Sequence, residues 1–118
     1  MGVFEWPLQV SSLDGERSLG IEAMVDTGAS YTVLPAGLLD QLGVERTRKL
    51  TFELADGRRQ VLDVGRARVT VDGATEVTPV VFGTDGTDAL LGAVTLQELA
   101  LVVDSSRERL LPAETLRY

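Results

Sequence analysis

One carboxylate of this chain sits where the surrounding pattern reads as core. Asp26 directly follows the apolar run Ala23-Met24-Val25 and precedes Thr27-Gly28, after which Tyr31 to Leu34 is mostly apolar again up to Pro35. Burying a charge is costly unless it is bonded or used. Two readings therefore stand side by side. Either Asp26 caps a tight turn, its side chain bonding backbone two residues on, or the fold holds the carboxylate half-buried to do chemistry. Composition narrows that chemistry. The 118 residues include no histidine and no cysteine. Ser-His and Cys-His nucleophile pairs, thiol catalysis, disulfides and His- or Cys-ligated zinc are thereby excluded. Acid–base work near neutral pH is left to carboxylates, to the lone Lys49 or to tyrosine. No metal site and no cofactor are expected.

The elements that must position Asp26 are short and mostly extended. Asp-Gly dipeptides at 14–15, 56–57, 72–73 and 85–86 are strong turn signals. Strands are predicted for Val3 to Val10 and Leu19 to Val25 around the first, and for Leu50 to Leu54 and Gln60 to Val64 around the second. Arg66 to Val71 alternates, with Ala67, Val69 and Val71 on one face and Arg66, Arg68 and Thr70 on the other. Thr75 to Phe82 comes next, where Pro79 argues for an edge or a bulge. Two segments read as short helices: PAGLLDQLG, with Pro35 at the first helical position and Gly43 at the end, and AVTLQELA after Gly92. Leu101 to Val103 and Leu110 to Leu111 look like strands again. A faint internal echo links Val25-Asp-Thr-Gly-Ala29 with Leu90-Leu-Gly-Ala93, since each places Gly-Ala after an apolar run.

Length and charge set outer bounds. Residues 1–118 are expected to form one domain, mostly β. The net charge is −7, with acids and bases spread along the chain and no basic patch. Nucleic acid and anionic membrane surfaces are therefore not expected as partners. No apolar run reaches the eighteen or so residues of a membrane span. The first residues lack the basic and apolar regions of a signal peptide, and Trp6 stands where a myristoylation motif wants Ser or Thr. A cytoplasmic location is the expectation.

The segment around Asp26 gains weight from the rest of the chain. An apolar strand feeding Val-Asp-Thr-Gly-Ala-Ser, a second apolar stretch to Leu34-Pro35, an Asp-Gly hairpin, and then Leu90-Leu91-Gly92 with Leu96 beyond resembles the retropepsin-like aspartic proteases. The resemblance covers roughly residues 3 to 111 in the right order. It implies a closed β-barrel of the acid-protease type with one or two short helices, working as a symmetric homodimer. It also implies an endopeptidase that cuts extended or unfolded polypeptide. Each copy would supply Asp26, because one carboxyl cannot be acid and base at once, and the close pair would share a proton. Thr27 would bond partner backbone and lock the two loops. Gly28 would let substrate approach, with Ala29 and Ser30 alongside. The hairpin TFELADGRRQVL falls where the family carries its flap, with Ala55, Asp56 and Gly57 at the tip, although an ordinary surface hairpin explains it too. Leu91 reads as core and Leu90 as pocket lining, an assignment that a register shift would swap. Arg58 and Arg59 could favour acidic substrates, and solvated turn charges are the plainer reading.

Three departures from the family pattern stand out. Ser30 replaces an acidic residue, Ala93 replaces an arginine that helps firm up retroviral dimers, and the flap tip is poor in glycine. These bear on dimer strength and rate. A retropepsin-fold dimer that binds peptide without cutting it is the alternative of a different class. A phosphoryl-accepting Asp26 would need a larger α/β domain and an acidic Mg²⁺ site, and carries little weight. Ala29 also lacks the hydroxyl that pepsin-type enzymes place beside each aspartate, so a working pH above the strongly acidic range is expected. A pH–rate profile checks this, and an optimum near about pH 3 contradicts it.

Overall fold

A computed structural model describes residues 4–84 and 86–114. The chain runs β1 (Phe4–Ser11), β2 (Ser18–Val25), β3 (Thr32–Pro35), α1 (Ala36–Gln41), β4 (Arg46–Glu53), β5 (Arg59–Val71), β6 (Ala74–Gly83), β7 (Leu90–Leu91), α2 (Ala93–Glu98), β8 (Leu101–Asp104) and β9 (Arg109–Pro112). Seven strands form one sheet in the order β1-β2-β7-β3-β6-β5-β4, and β1 also pairs with β5, which closes the sheet on itself. The mostly β, barrel-like fold expected from the sequence is the fold observed. No helix among the described residues is long and apolar enough to cross a membrane.

Closure depends on β5. Val64 to Val71 pairs with β6 along one edge; the other edge takes β4 at Arg59 to Gly65 and then β1 at Arg68 to Thr70. Sequence reading divides this stretch into two strands around Gly65. It is one strand of thirteen residues, running unbroken through the glycine where the pattern suggests a division. A Cβ on Gly65 would overlap the Glu45 carbonyl and stand 3.1 Å from the Phe82 ring, so glycine lets β4 cross closely there. The β4 register shifts opposite Gly65 and Val64, between Arg46 and Arg48. Beyond it Ala67, Val69 and Val71 turn inward as their alternation requires, and all three are buried.

The Asp-Gly signal is realised most fully between β5 and β6. Asp72 and Gly73 both have positive φ, 51° and 85°, and join Val71 to Ala74 in a two-residue loop. That is the geometry Asp-Gly favours. Pro79 lies inside β6 without a bulge, so of the two alternatives the edge is the one realised. At Pro79 the strand is still a local edge, because β3 pairing begins only at Val80. Pro35 ends β3 rather than opening α1; its ψ of 134° is extended because it still pairs with Gly83. Gly43, at φ 74°, terminates that helix as expected.

The core has one polar knot. Thr32, Thr78 and Thr95 are fully buried. The Thr95 hydroxyl meets that of Thr32 at 2.6 Å and that of Thr78 at 3.0 Å. The Gly92 amide donates to Thr32 Oγ1 at 3.1 Å. No buried side-chain polar atom among the described residues lacks a partner. Thr95→Val keeps shape but strips the shared hydroxyl from two buried ones. A loss of about 1–3 kcal/mol is expected in urea unfolding, and an unchanged midpoint would show that the knot contributes nothing to stability.

Candidate active site

Asp26 stands at the end of β2, where the chain leaves the sheet. Its amide donates to the Leu91 carbonyl at 3.1 Å, continuing the parallel pairing of Met24 with Leu90 and Val25 with Leu91. The faint echo in the sequence is thus a spatial pairing, with the two Gly-Ala segments emerging from neighbouring strands. The turn after Asp26 is tight. Gly28 N–H donates to Asp26 Oδ1 at 2.9 Å, and Ala29 N–H to the Asp26 carbonyl at 3.2 Å. The two readings of Asp26 are therefore not rivals. One carboxylate oxygen makes the local turn, and the other has no hydrogen-bond partner among the described residues. A Cβ on Gly28 would lie 3.1 Å from Oδ1 and crowd the carboxylate.

The loop is clamped from behind. Ala93 N–H donates to the Ala29 carbonyl and Val94 N–H to that of Ser30, each at 2.9 Å. Gly92 packs so close that a Cβ there would stand 2.5 Å from the Tyr31 carbonyl carbon and 2.9 Å from Thr32 N. Only glycine fits. Leu91 is fully buried beneath it.

Beside the loop runs a groove of about 770 Å³. Gly28, Ala29, Ser30 and Leu90 line it, opposite Leu50, Phe52 and Leu62 of the β4–β5 hairpin. Thr27 faces elsewhere, into a second hollow of about 460 Å³ that also touches β8. Asp26 borders neither hollow directly. Ala55, Asp56 and Gly57 stand at the hairpin tip outside the groove lining, which includes their neighbours Leu54 and Arg58. Sequence reading does not single out Tyr31 and Phe52. Their rings meet edge to face, 6.1 Å apart at 83°, and both line the groove. The alternation of Leu50, Phe52 and Leu54 along one strand face is the signal that points to Phe52.

The hairpin tip is tied by its own residues. Asp56 accepts from the Arg58 amide at 3.0 Å and from Arg58 Nε at 2.6 Å. Arg58 is thus engaged within the turn, in line with the plainer reading of that charge. Among the described residues, no three carboxylates gather closely enough to hold a metal ion.

The chain matches the model of the family described as "gag-polyprotein putative aspartyl protease" over residues 13–98. The chain belongs to this family. Its fold is also that of solved retropepsins. An EIAV protease complexed with the inhibitor HBY-793 superposes with a TM-score of 0.61 at 19% identity, covering 81% of this chain and 86% of that one. A simian foamy virus (mac) protease gives 0.54 at 19% identity over 77% and 91%. A retropepsin-like aspartic protease from Rickettsia conorii gives 0.54 at 22% identity over 86% and 87%. No curated protein matches the chain. In this retropepsin-like fold Asp26 opens the Asp-Thr-Gly turn and the β4–β5 hairpin overhangs the groove.

Hydrogen bonds from Arg58, backbone first and then side chain, hold the Asp56 carboxyl below the ordinary carboxylate range. A lowered value means that the tip bonds persist at neutral pH and are lost only as pH falls through it. The Arg58 amide resonance should titrate in NMR with a midpoint below that of an ordinary aspartate. A midpoint at or above that value would mean the tip is untied in solution.

Proposed function

We propose that this protein is an aspartic endopeptidase whose active centre forms when two copies each present Asp26 across a two-fold axis. The observation that carries the proposal is the state of Asp26. Its carboxylate is half-buried and fixed through one oxygen, while the other has no hydrogen-bond partner among the described residues, and the residues that follow it, Gly28 to Ser30, line the groove of about 770 Å³. Family membership and the retropepsin fold support it.

In this reading the ionised member of the carboxyl pair takes a proton from water as the water attacks the scissile carbonyl. The protonated member donates to the carbonyl oxygen. Gly28 N–H keeps each carboxylate in orientation, so little reorganisation is needed at the moment of reaction. Thr27, whose side lies away from the groove, bonds partner backbone and fixes the separation of the two aspartates. Ala29, Ser30 and Leu90 contact substrate along the groove, and the hairpin tip Ala55-Asp56-Gly57 closes over it, adding strand-like hydrogen bonds to an extended chain. The substrate is a peptide or unfolded polypeptide.

A peptide library provides the test. The wild-type protein should cut it and be blocked by a statine-type inhibitor. Asp26→Asn should lose about 10²–10⁴-fold or more in rate. Tight inhibitor binding without any cleavage would instead assign a peptide-binding role, for which Ser30 in place of an acidic contact is the structural motive. Cleavage that survives Asp26→Asn would refute the assignment of the catalytic carboxyl.

A further inference from the structure

The groove beside Asp26 is lined almost wholly by uncharged residues. Among the described residues that line it, only Glu53 and Arg58 carry charge, and both belong to the β4–β5 hairpin. The opposite wall, Gly28 to Tyr31 with Thr84, Thr87 and Leu90, is neutral. Ser30 keeps it so where the family pattern has an acidic residue. A carboxylate on a bound peptide would meet no like charge along that wall.

Arg58 is held but not used up. Its Nε donates to Asp56 Oδ2 at 2.6 Å, and its amide donates to Oδ1 of the same carboxylate at 3.0 Å. Those bonds fix where the guanidinium points. The terminal nitrogens of the fork have no acceptor among the described residues. The Arg58 side chain is 75% exposed, so its pairing with Asp56 is of the kind that contributes little to stability. The pairing orients the arginine and leaves open a planar donor pair, the shape that takes a carboxylate through two parallel bonds.

The surrounding charge has the matching sign. Residues 46–68 hold seven of the chain's eleven basic residues and three of its eighteen acidic ones, so they carry +4 and the remainder −11. The hairpin thus departs from the even spread that the whole sequence suggests. Glu53 lies opposite Arg59 in the strand register, in the row that alternates with the groove-lining pair Phe52 and Gln60. Opposite charges so placed offset each other. At 0.15 M salt the screening length is about 8 Å. Acidic residues on the far side of the barrel are therefore screened, and the hairpin sets the potential at the groove.

We propose that Arg58 selects an acidic side chain in the bound peptide, taking its carboxylate on the open side of the fork while Asp56 holds the other side. The proposal rests on the protease reading above and names its substrate class, extended polypeptide with Glu or Asp beneath the hairpin tip. Arg58 is then a specificity-determining residue rather than a catalytic one.

Peptides that carry Glu, Gln or Lys in turn at one position, moved stepwise along the cleaved sequence, provide the test. At one or two positions the wild-type kcat/KM should run Glu over Gln over Lys, with about tenfold between the extremes. The gap should narrow between about 0.05 and 1 M NaCl. Equal rates at every position overturn the proposal. Arg58→Glu should reverse the order, and Arg58→Lys should keep a smaller preference for Glu, because an ammonium lacks the fork. Should Arg58→Glu fail to fold, Arg58→Gln takes its place and should bring the Glu and Gln peptides to equal rates; a full preference retained there overturns the proposal. Arg59→Glu makes the same change in net charge from the hairpin's other face and should leave the wild-type order. A reversal by Arg59→Glu as complete as that by Arg58→Glu would overturn the role of Arg58. Statine-containing peptides with Glu or Lys at the same position separate this claim from the protease reading. A protein that cuts nothing yet binds the Glu form about tenfold tighter keeps the role of Arg58 and removes the protease. Cleavage without any charge preference does the reverse. A protein that neither cuts nor binds these peptides overturns both.

Discussion

The contact between Gly92 and the backbone of Tyr31 and Thr32 is the constraint on which the site depends. It is a packing of main chain on main chain with no room for a single carbon between them. From that contact the next two amides of the chain reach the Ala29 and Ser30 carbonyls, and the Gly92 amide reaches the Thr32 hydroxyl. The loop bearing Asp26 therefore has its outgoing limb fixed by α2 and its incoming limb fixed by β7. Neither attachment uses a charged side chain. The rigidity needed to aim a carboxylate comes from backbone geometry, which pH and salt leave alone.

Most of the local structure was legible because it rests on short-range rules. Alternation placed Ala67, Val69 and Val71 inward, Asp72-Gly73 specified its turn, and Gly43 stopped its helix. Long-range placements were less legible. The parallel pairing of β2 with β7 joins residues 66 positions apart, and no local pattern announces it beyond the repeated Gly-Ala. Gly65 misled for a related reason. A glycine inside an alternating stretch looks like a break, and only the approach of the Glu45 backbone shows that it serves a close crossing within one strand. The threonine knot was invisible because a buried hydroxyl network needs three residues from three elements, each unremarkable alone. Of the tail PAETLRY, Pro112 closes β9, and residues 115–118 lie outside the described structure. The expected strand start at Val3 and the Asp85 half of the last Asp-Gly signal lie outside it as well.

The candidate site shows the same division. The sequence marked the Asp26 turn and the paired leucines, and the structure sets Leu90 beside the groove and Leu91 in the core. The aromatic wall formed by Tyr31 and Phe52 closes the groove between loop and hairpin. It depends on which face of β4 looks toward β3, and that is set by closure of the whole sheet rather than by either segment.

The thirteen-residue β5 has a mechanical meaning. Its first half is the returning limb of the overhanging hairpin, and its second half is a stave of the barrel. The overhang is therefore a cantilever, with its root built into the wall and its weakest cross-section at Gly65. Force applied at the tip is delivered to that one residue and to Phe82 and Val44 packed against it. A displacement of the tip would then draw on the elasticity of the barrel as well as on the loop itself.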